Sequence, residues 1–176
     1  MGNSVTIEHT GSAERDALGL LRAAWAPDYP DLPAPVDPIY IAQGLGIQVY
    51  TAVLDDGVSG MLVKRPGVDP AIYLNRLDSP NRQRFTCAHE LGHYVKRAST
   101  DDDTWEYVDT RGPNASTGKD PDEIYANGFA AALLMPREAV ARMVKNGLTA
   151  AEMAYRLGVS LEAMNIRLGV LGLKAA

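Results

Sequence analysis

The segment His89-Glu90-Leu91-Gly92-His93 contains the residues best suited to chemistry in this chain. In an α-helix, residues four apart differ by only about 40° in azimuth, so both imidazoles would project from one face. Two neutral imidazoles that converge in this way suit Zn²⁺. Glu90, roughly 100° round the helix from His89, could reach a water at the cation without being a ligand. The spacing therefore predicts a metal site in which Glu90 is the general base for attack on a carbonyl.

A catalytic metal site also needs a third protein ligand and one open position. The only other histidine, His9, lies far upstream, so a carboxylate is the expected ligand. Glu123 lies in the next predicted helix, and Asn127, on the same face, could orient a ligating histidine through its second ring nitrogen. Spacing alone leaves the role of Glu123 open, because Glu123 could instead complete a capping box with Asp120. The alternative ligands are Asp122, Glu106 and Asp109.

Three short strands are predicted before this metal-binding segment. Residues 47–53 alternate in a strand-like pattern, Asp56-Gly57 is a hairpin turn signal, and 59–65 form the return strand. With a third strand over 71–75, we expect a three-stranded antiparallel sheet. The third strand is expected to offer a free edge to an extended substrate, which would then bind by strand addition. The residues expected to contact that substrate are Ile72, Tyr73 and Leu74.

Two helices are expected to carry the metal ligands. Ser79 and Pro80 are typical of a helix start, and they predict the metal-binding helix over 80–96. A second helix, over 121–135, carries Glu123. The long polar connection between them, 98–119, is a candidate flap, because connections of this length are commonly functional or disordered.

The end of the chain reads as two short helices joined at Gly158-Val159-Ser160, which is the pattern of a helix-turn-helix. Its second helix offers only Asn165 and Arg167 to base edges, so direct DNA binding is not favoured. We expect this module to be structural or to dock a protein substrate. The predicted division is a metal-binding domain over 1–146 and a small helical module over 147–176.

Composition limits the class of protein. The chain has 176 residues, of which 46% are hydrophobic and 22% charged, one cysteine and a net charge of -5. These values indicate a globular fold, and an acidic chain disfavours non-specific nucleic-acid binding. No apolar run approaches the roughly 20 residues that cross a bilayer, and no export signal is evident. A single cysteine cannot build an internal disulfide framework. We expect a soluble, cytoplasmic protein without membrane association.

Three segments resemble the ImmA/IrrE family of metallo-endopeptidases: IYLN at 72–75, RFTCAHELGHY at 84–94 and EIYANGFAAALLMP at 123–136. The resemblance extends from about Asp37 to Leu173. It implies a gluzincin-like α+β fold, mostly helical, in which the zinc helix packs against the small sheet. It also implies that Glu123 is the third ligand.

The resemblance further implies a function. Members of this family cleave helix-turn-helix repressors and so relieve repression of mobile elements, phages or stress-response operons. The expected cofactor is Zn²⁺, although two histidines and a carboxylate also accept Mn²⁺ or Fe²⁺. The expected partner is a helix-turn-helix repressor encoded nearby. The alternative is a non-catalytic, metal-containing regulatory protein of the antitoxin type, which would act by associating with a repressor or toxin.

Overall fold

The computed structural model describes residues 9–26, 35–97, 104–110 and 120–176. These ranges form seven helices and four strands. The helices are α1 (Ala13–Ala24), α2 (Pro38–Gly44), α3 (Pro80–Arg97), α4 (Pro121–Leu134), α5 (Arg137–Lys145), α6 (Ala150–Leu157) and α7 (Leu161–Leu171), and the strands are β1 (Gln48–Ala52), β2 (Val58–Lys64), β3 (Ala71–Asn75) and β4 (Trp105–Thr110). No helix within these ranges is both long and apolar enough to cross a membrane.

The predicted α+β class is confirmed, but the predicted antiparallel meander is wrong. The sheet has four strands in the order β1-β3-β2-β4. β1 and β3 are parallel, whereas β2 is antiparallel to both β3 and β4. The turn signal at Asp56-Gly57 specifies a local reversal of the chain, and it does not specify that the two flanking strands pair. β3 therefore lies between β1 and β2.

β3 has no free edge. Tyr73 pairs with Tyr50 of β1 on one side and with Met61 of β2 on the other. Ile72 and Leu74 are fully buried in the core. The prediction that Ile72, Tyr73 and Leu74 bind an extended substrate through a free edge is therefore wrong. Among the described residues, the strands with only one neighbour are β1 and β4.

β4 lies inside the segment that was predicted to be a polar connection. Its side chains alternate in burial, with Trp105 and Tyr107 partly buried and Glu106 and Val108 exposed. Pairing with β2 adds β4 to the sheet on the side away from β3. The remainder of the connection, and with it most of the predicted flap, lies outside the described residues.

α3 packs between the sheet and α4. Leu62 of β2 and Ile72 of β3 are fully buried on the sheet face toward α3. On its other side α3 crosses α4 closely at Gly92, where an added Cβ would lie 3.0 Å from Ala126 Cα and 3.1 Å from Phe129 Cβ. The lack of a side chain at Gly92 thus determines how near the two helices can approach.

A buried carboxylate fixes α1 to α4. Asp16 Oδ2 accepts a hydrogen bond from the Tyr125 hydroxyl at 2.7 Å, and Asp16 Oδ1 accepts from the backbone and hydroxyl of Thr10. Burial alone would raise the pKa of Asp16, but the hydrogen bonds from Thr10 and Tyr125 outweigh it and lower this pKa. Asp16 is therefore an ionised acceptor that joins α1 to the helix carrying Glu123.

Two arginines attach the C-terminal helices to the rest of the chain. Arg84 of α3 donates to the carbonyls of Val36, Leu157 and Gly158. Arg167 of α7 is buried, and it donates to the Met135 carbonyl at 2.9 Å and to both carboxylate oxygens of Glu14. Of the two residues that could have reached base edges, Arg167 is thus engaged inside the protein. The division of the chain at residue 146 stays a prediction.

The link between Asp16 and Tyr125 is expected to contribute to stability. Asp16→Asn should lower the free energy of unfolding at pH 7 by about 1–3 kcal/mol, because it removes an ionised acceptor from a buried network. The folded-state pKa of Asp16 lies below that of the unfolded chain. Its contribution is therefore present above about pH 4 and is lost as the pH falls through the folded-state pKa. Urea unfolding of both proteins from pH 7 to pH 3 measures this difference.

The control is Asp69→Asn, at an exposed aspartate in the turn before β3. The double variant of Asp16→Asn with Tyr125→Phe should be less destabilised than the sum of the single variants, because the two residues share one interaction. Additive effects, or a difference from the parent that persists undiminished at pH 3, would contradict the role given to Asp16.

The close crossing of α3 and α4 predicts that a side chain added at Gly92 lowers the stability of the protein. Gly19→Ala in α1, where an added Cβ meets nothing within 4 Å, should raise the free energy of unfolding by up to about 1 kcal/mol through helix propensity. Gly92→Ala should instead lower it by about 1–3 kcal/mol, because the new methyl group must displace the α4 backbone. Thermal and urea unfolding of both variants provide the test. Equal stabilisation by the two changes would show that the crossing can relax.

Candidate metal centre

α3 directs His89 and His93 toward one point. The two imidazoles are almost fully buried, each with 2% of its surface exposed, and their Nε2 atoms are 3.1 Å apart. Glu123 of α4 completes the cluster, with Oε2 3.3 Å from Nε2 of His89 and Oε1 3.2 Å from Nε2 of His93. Among the described residues, these three form a group that could hold a metal ion. The donors thus come from two helices, at the positions named from the sequence.

The distances within the cluster fit a tetrahedral cation. Zn²⁺ with bonds of about 2.0–2.1 Å to nitrogen and oxygen places neighbouring ligand atoms roughly 3.3 Å apart. The two Nε2 atoms are 3.1 Å apart, and they lie 3.3 and 3.2 Å from different oxygens of Glu123, so each contact is close to that value. The side chain of Glu123 is 28% exposed, so the cluster is reached from solvent on its α4 side. This arrangement leaves one direction from which a water or a substrate could approach.

Asn127 determines which nitrogen of His89 carries the proton. Its Oδ1 lies 3.1 Å from His89 Nδ1, and an amide oxygen can only accept. Nδ1 of His89 therefore donates, and in the neutral imidazole Nε2 is left with the lone pair that a metal requires. Asn127 is one helical turn after Glu123. One face of α4 therefore supplies the candidate ligand Glu123 and the hydrogen-bond partner of the candidate ligand His89.

The carboxylate of Glu123 is held in its ionised form. The adjacent imidazoles of His89 and His93 lower the pKa of Glu123 far below the ordinary glutamate value, and this effect outweighs the opposing effect of burial. An ionised carboxylate beside two imidazoles is the form in which such a set binds a divalent cation. The electrostatics therefore agree with the geometry.

Glu90 is fully buried and lies on the side of α3 that faces β2. Gly60 of β2 adjoins it, since a Cβ at that position would lie 3.7 Å from Glu90 Oε1, although the collision that excludes a side chain there is with Thr86 of α3. Glu90 therefore adjoins His89 in the helix without belonging to the three-donor cluster, as expected for a base that is not a ligand.

Two of the three alternative ligands, Asp122 and Glu106, do not belong to the cluster. Asp122 pairs with Lys96, and this hydrogen bond lowers the pKa of Asp122. Glu106 is exposed, and the side chain of Asp109 lies outside the described residues. Cys87 is fully buried, and burial raises the pKa of its thiol, so it remains protonated and unsuited to metal binding.

One residue of the site was missed by sequence reasoning. The ring of Tyr107 stacks on the imidazole of His93, with centroids 4.2 Å apart and planes 13° from parallel. Tyr107 belongs to β4, whose alternation of large and polar residues in Trp105-Glu106-Tyr107-Val108 is a period-two signal. That signal could have identified a strand inside the long polar connection.

Comparison with known proteins agrees with this geometry. Residues 42–169, which include all three donors, match the Peptidase_M78 family, described as the IrrE N-terminal-like domain. The chain is also similar to the radiation response metalloprotease IrrE of Deinococcus radiodurans, with 35% identity over 96 residues, or 51% of this chain. It spans only 27% of the length of that relative. The family match covers well over half of the chain, and it confirms the resemblance seen in the sequence. This protein therefore belongs to the Peptidase_M78 family.

Proposed function

We propose that this protein is a metal-dependent endopeptidase in which His89, His93 and Glu123 hold a divalent cation. The observation that carries the proposal is the convergence of two imidazole nitrogens and a carboxylate from two helices, with contacts of 3.1–3.3 Å, beside the buried carboxylate of Glu90. A purely structural metal site has no need of a base at Glu90. Membership of a peptidase family supports the same reaction class.

Glu90 is the general base of the proposed reaction. When bound, the cation supplies Lewis-acid polarisation of a water and of the peptide carbonyl. The Glu90 carboxylate takes a proton from the attacking water as the new C–O bond forms, and delivers that proton to the leaving amine as the C–N bond breaks. Glu123 balances part of the positive charge of the cation.

We propose Zn²⁺ as the cation. Two imidazole nitrogens and a carboxylate suit this ion, and an open fourth position is typical of catalytic zinc. The same donors accept Mn²⁺ or Fe²⁺, so the physiological ion also depends on what the cell supplies.

We propose a helix-turn-helix repressor as the substrate, as the family resemblance implies, and hence a cytoplasmic location. β4 is the strand best placed to hold it, because Tyr107 contacts His93 and, within the described ranges, β4 pairs with β2 alone. An extended segment could add to the other edge of β4 through main-chain hydrogen bonds. We therefore propose β4 as the substrate-binding strand and no longer β3, because both edges of β3 are paired.

We propose that residues 1–146 form the peptidase domain. We also propose that residues 147–176 form a small helical module that docks a protein partner. Three large apolar side chains of this module are mostly exposed, Tyr155 in α6 and Ile166 and Val170 in α7. Because Arg167 donates to Glu14 and Met135, its guanidinium is not available to contact phosphates. An apolar surface of this kind suits a protein partner.

The role of Glu90 is tested by Glu90→Gln, which keeps the shape of the side chain and removes the base. We expect cleavage of the substrate repressor to fall by about 10²-fold or more, whereas metal content stays stoichiometric. Purified repressors encoded near this gene are the substrates, cleavage is followed by mass spectrometry, and metal by elemental analysis. Glu162→Gln, at an exposed position of α7, is the control. Undiminished cleavage by metal-loaded Glu90→Gln would exclude the proposed mechanism.

The role of Glu123 is tested by metal affinity alone. Glu123→Gln should weaken Zn²⁺ binding by about tenfold or more, because it replaces an ionised oxygen donor with a neutral amide. Asp122→Asn, which changes the adjacent carboxylate that pairs with Lys96, should leave the affinity within about twofold. Competition with a chromophoric chelator gives both constants. Equal affinities for the two variants would remove Glu123 from the ligand set.

A further inference from the structure

The two histidines of the cluster are held in different ways. His89 has a hydrogen-bond partner at Nδ1, the side-chain oxygen of Asn127. The Nδ1 of His93 is buried, and it has no hydrogen-bond partner among the described residues. A ligating histidine generally donates its second ring N–H to a carboxylate, a carbonyl or a water, and this bond fixes the plane of the ring. The orientation of His93 therefore needs another physical cause.

Tyr107 provides a flat surface against this ring. The centroids are 4.2 Å apart and the planes differ by only 13°, so the two rings overlap face to face. Rotation of the imidazole about its χ2 angle would drive its edge into the phenol ring. Tyr107 thus restricts the same rotation that a hydrogen bond at Nδ1 would restrict.

Tyr107 is itself fixed from two sides. It lies opposite Leu62 in the register of β4 and β2, which sets its position on the sheet. Its hydroxyl accepts a hydrogen bond from Nε of Arg97 at 2.5 Å, and the Arg97 guanidinium lies 5.7 Å from the ring centroid. Arg97 follows His93 by one helical turn, so α3 contacts the same phenol at its hydroxyl and at its face.

We propose that Tyr107 is a positioning residue for His93, which it orients so that Nε2 points to the site shared with His89 and Glu123. This inference rests on the proposed function, because it takes His93 as a ligand. The ring face of Tyr107 does the positioning, and its hydroxyl serves to anchor that ring through Arg97. The strand proposed to hold substrate is thereby in direct contact with a metal ligand.

Replacing the ring separates positioning from general packing. Tyr107→Leu and Tyr107→Met remove the flat surface, and Met keeps more of the volume in case the Leu variant folds poorly. Tyr107→Phe keeps the ring and loses only the bond to Arg97. Trp105→Leu is the matched control, since Trp105 lies on the same strand and face, and its ring meets Tyr94 edge-on at 6.0 Å and Tyr107 at 6.4 Å without stacking on a metal ligand.

The measurements are Zn²⁺ affinity by chelator competition and the visible absorption spectrum of the Co²⁺-loaded protein, both on the full chain. Tyr107→Leu and Tyr107→Met should weaken Zn²⁺ binding by about tenfold or more and alter the Co²⁺ bands, which report ligand geometry. Tyr107→Phe should stay within about threefold of the parent with an unchanged spectrum. Trp105→Leu should match the parent in both measurements, although it loses comparable packing.

Parent-like Zn²⁺ affinity and Co²⁺ spectra for the folded Leu or Met variant would overturn the inference, as would an equal loss in Trp105→Leu. Rescue by Phe, but not by Leu or Met, would support it. If the parent chain itself binds no stoichiometric metal, the proposed function fails as well. If the parent binds metal and cleaves its substrate while Tyr107→Met behaves like the parent, only the positioning role is lost.

Discussion

The close approach of α3 and α4 at Gly92 is the constraint on which the rest of the site depends. The two histidines belong to α3 and Glu123 belongs to α4, so no local sequence rule brings the third donor to the other two. An added Cβ at Gly92 would lie 3.0 Å from Ala126 Cα, which shows that the backbones are already in contact. A metal–ligand bond tolerates errors of only about 0.2 Å, so the helix spacing has to be fixed by close packing.

Each chemically important side chain of α3 faces a different neighbour. His89 meets Asn127 of α4, Glu90 lies against Gly60 of β2, and His93 stacks on Tyr107 of β4. α3 therefore has contacts on almost every side along this turn, which is why nearly all of its residues there are buried. Burial of the histidines and of Glu90 excludes bulk water, and in such surroundings fixed charges interact more strongly than at the surface.

The sequence predicted what depends on local periodicity and missed what depends on long-range pairing. The spacing of His89, Glu90 and His93 predicted both histidine donors, because a helix repeats regularly, whereas spacing left Glu123 as one of several candidates and the family resemblance indicated it as the third ligand. Strand order was not accessible in this way, since the parallel pairing of β1 with β3 joins two segments that are separated in the chain by β2. For the same reason Tyr107 was missed, because only the pairing of β4 with β2 brings it to His93.

The position of α4 is also controlled from its far end. Arg167 donates to the Met135 carbonyl, just beyond the last turn of α4, and to both carboxylate oxygens of Glu14 in α1. The Glu14 side chain is 44% exposed, so solvent screens its attraction to Arg167 and the main effect of the pair is to fix geometry. Asp16, two residues after Glu14, binds Tyr125 near the start of α4. α1 therefore contacts the start of the helix that carries Glu123 directly, through Asp16. It is linked to the end of that helix indirectly, through Arg167 of the C-terminal helix α7.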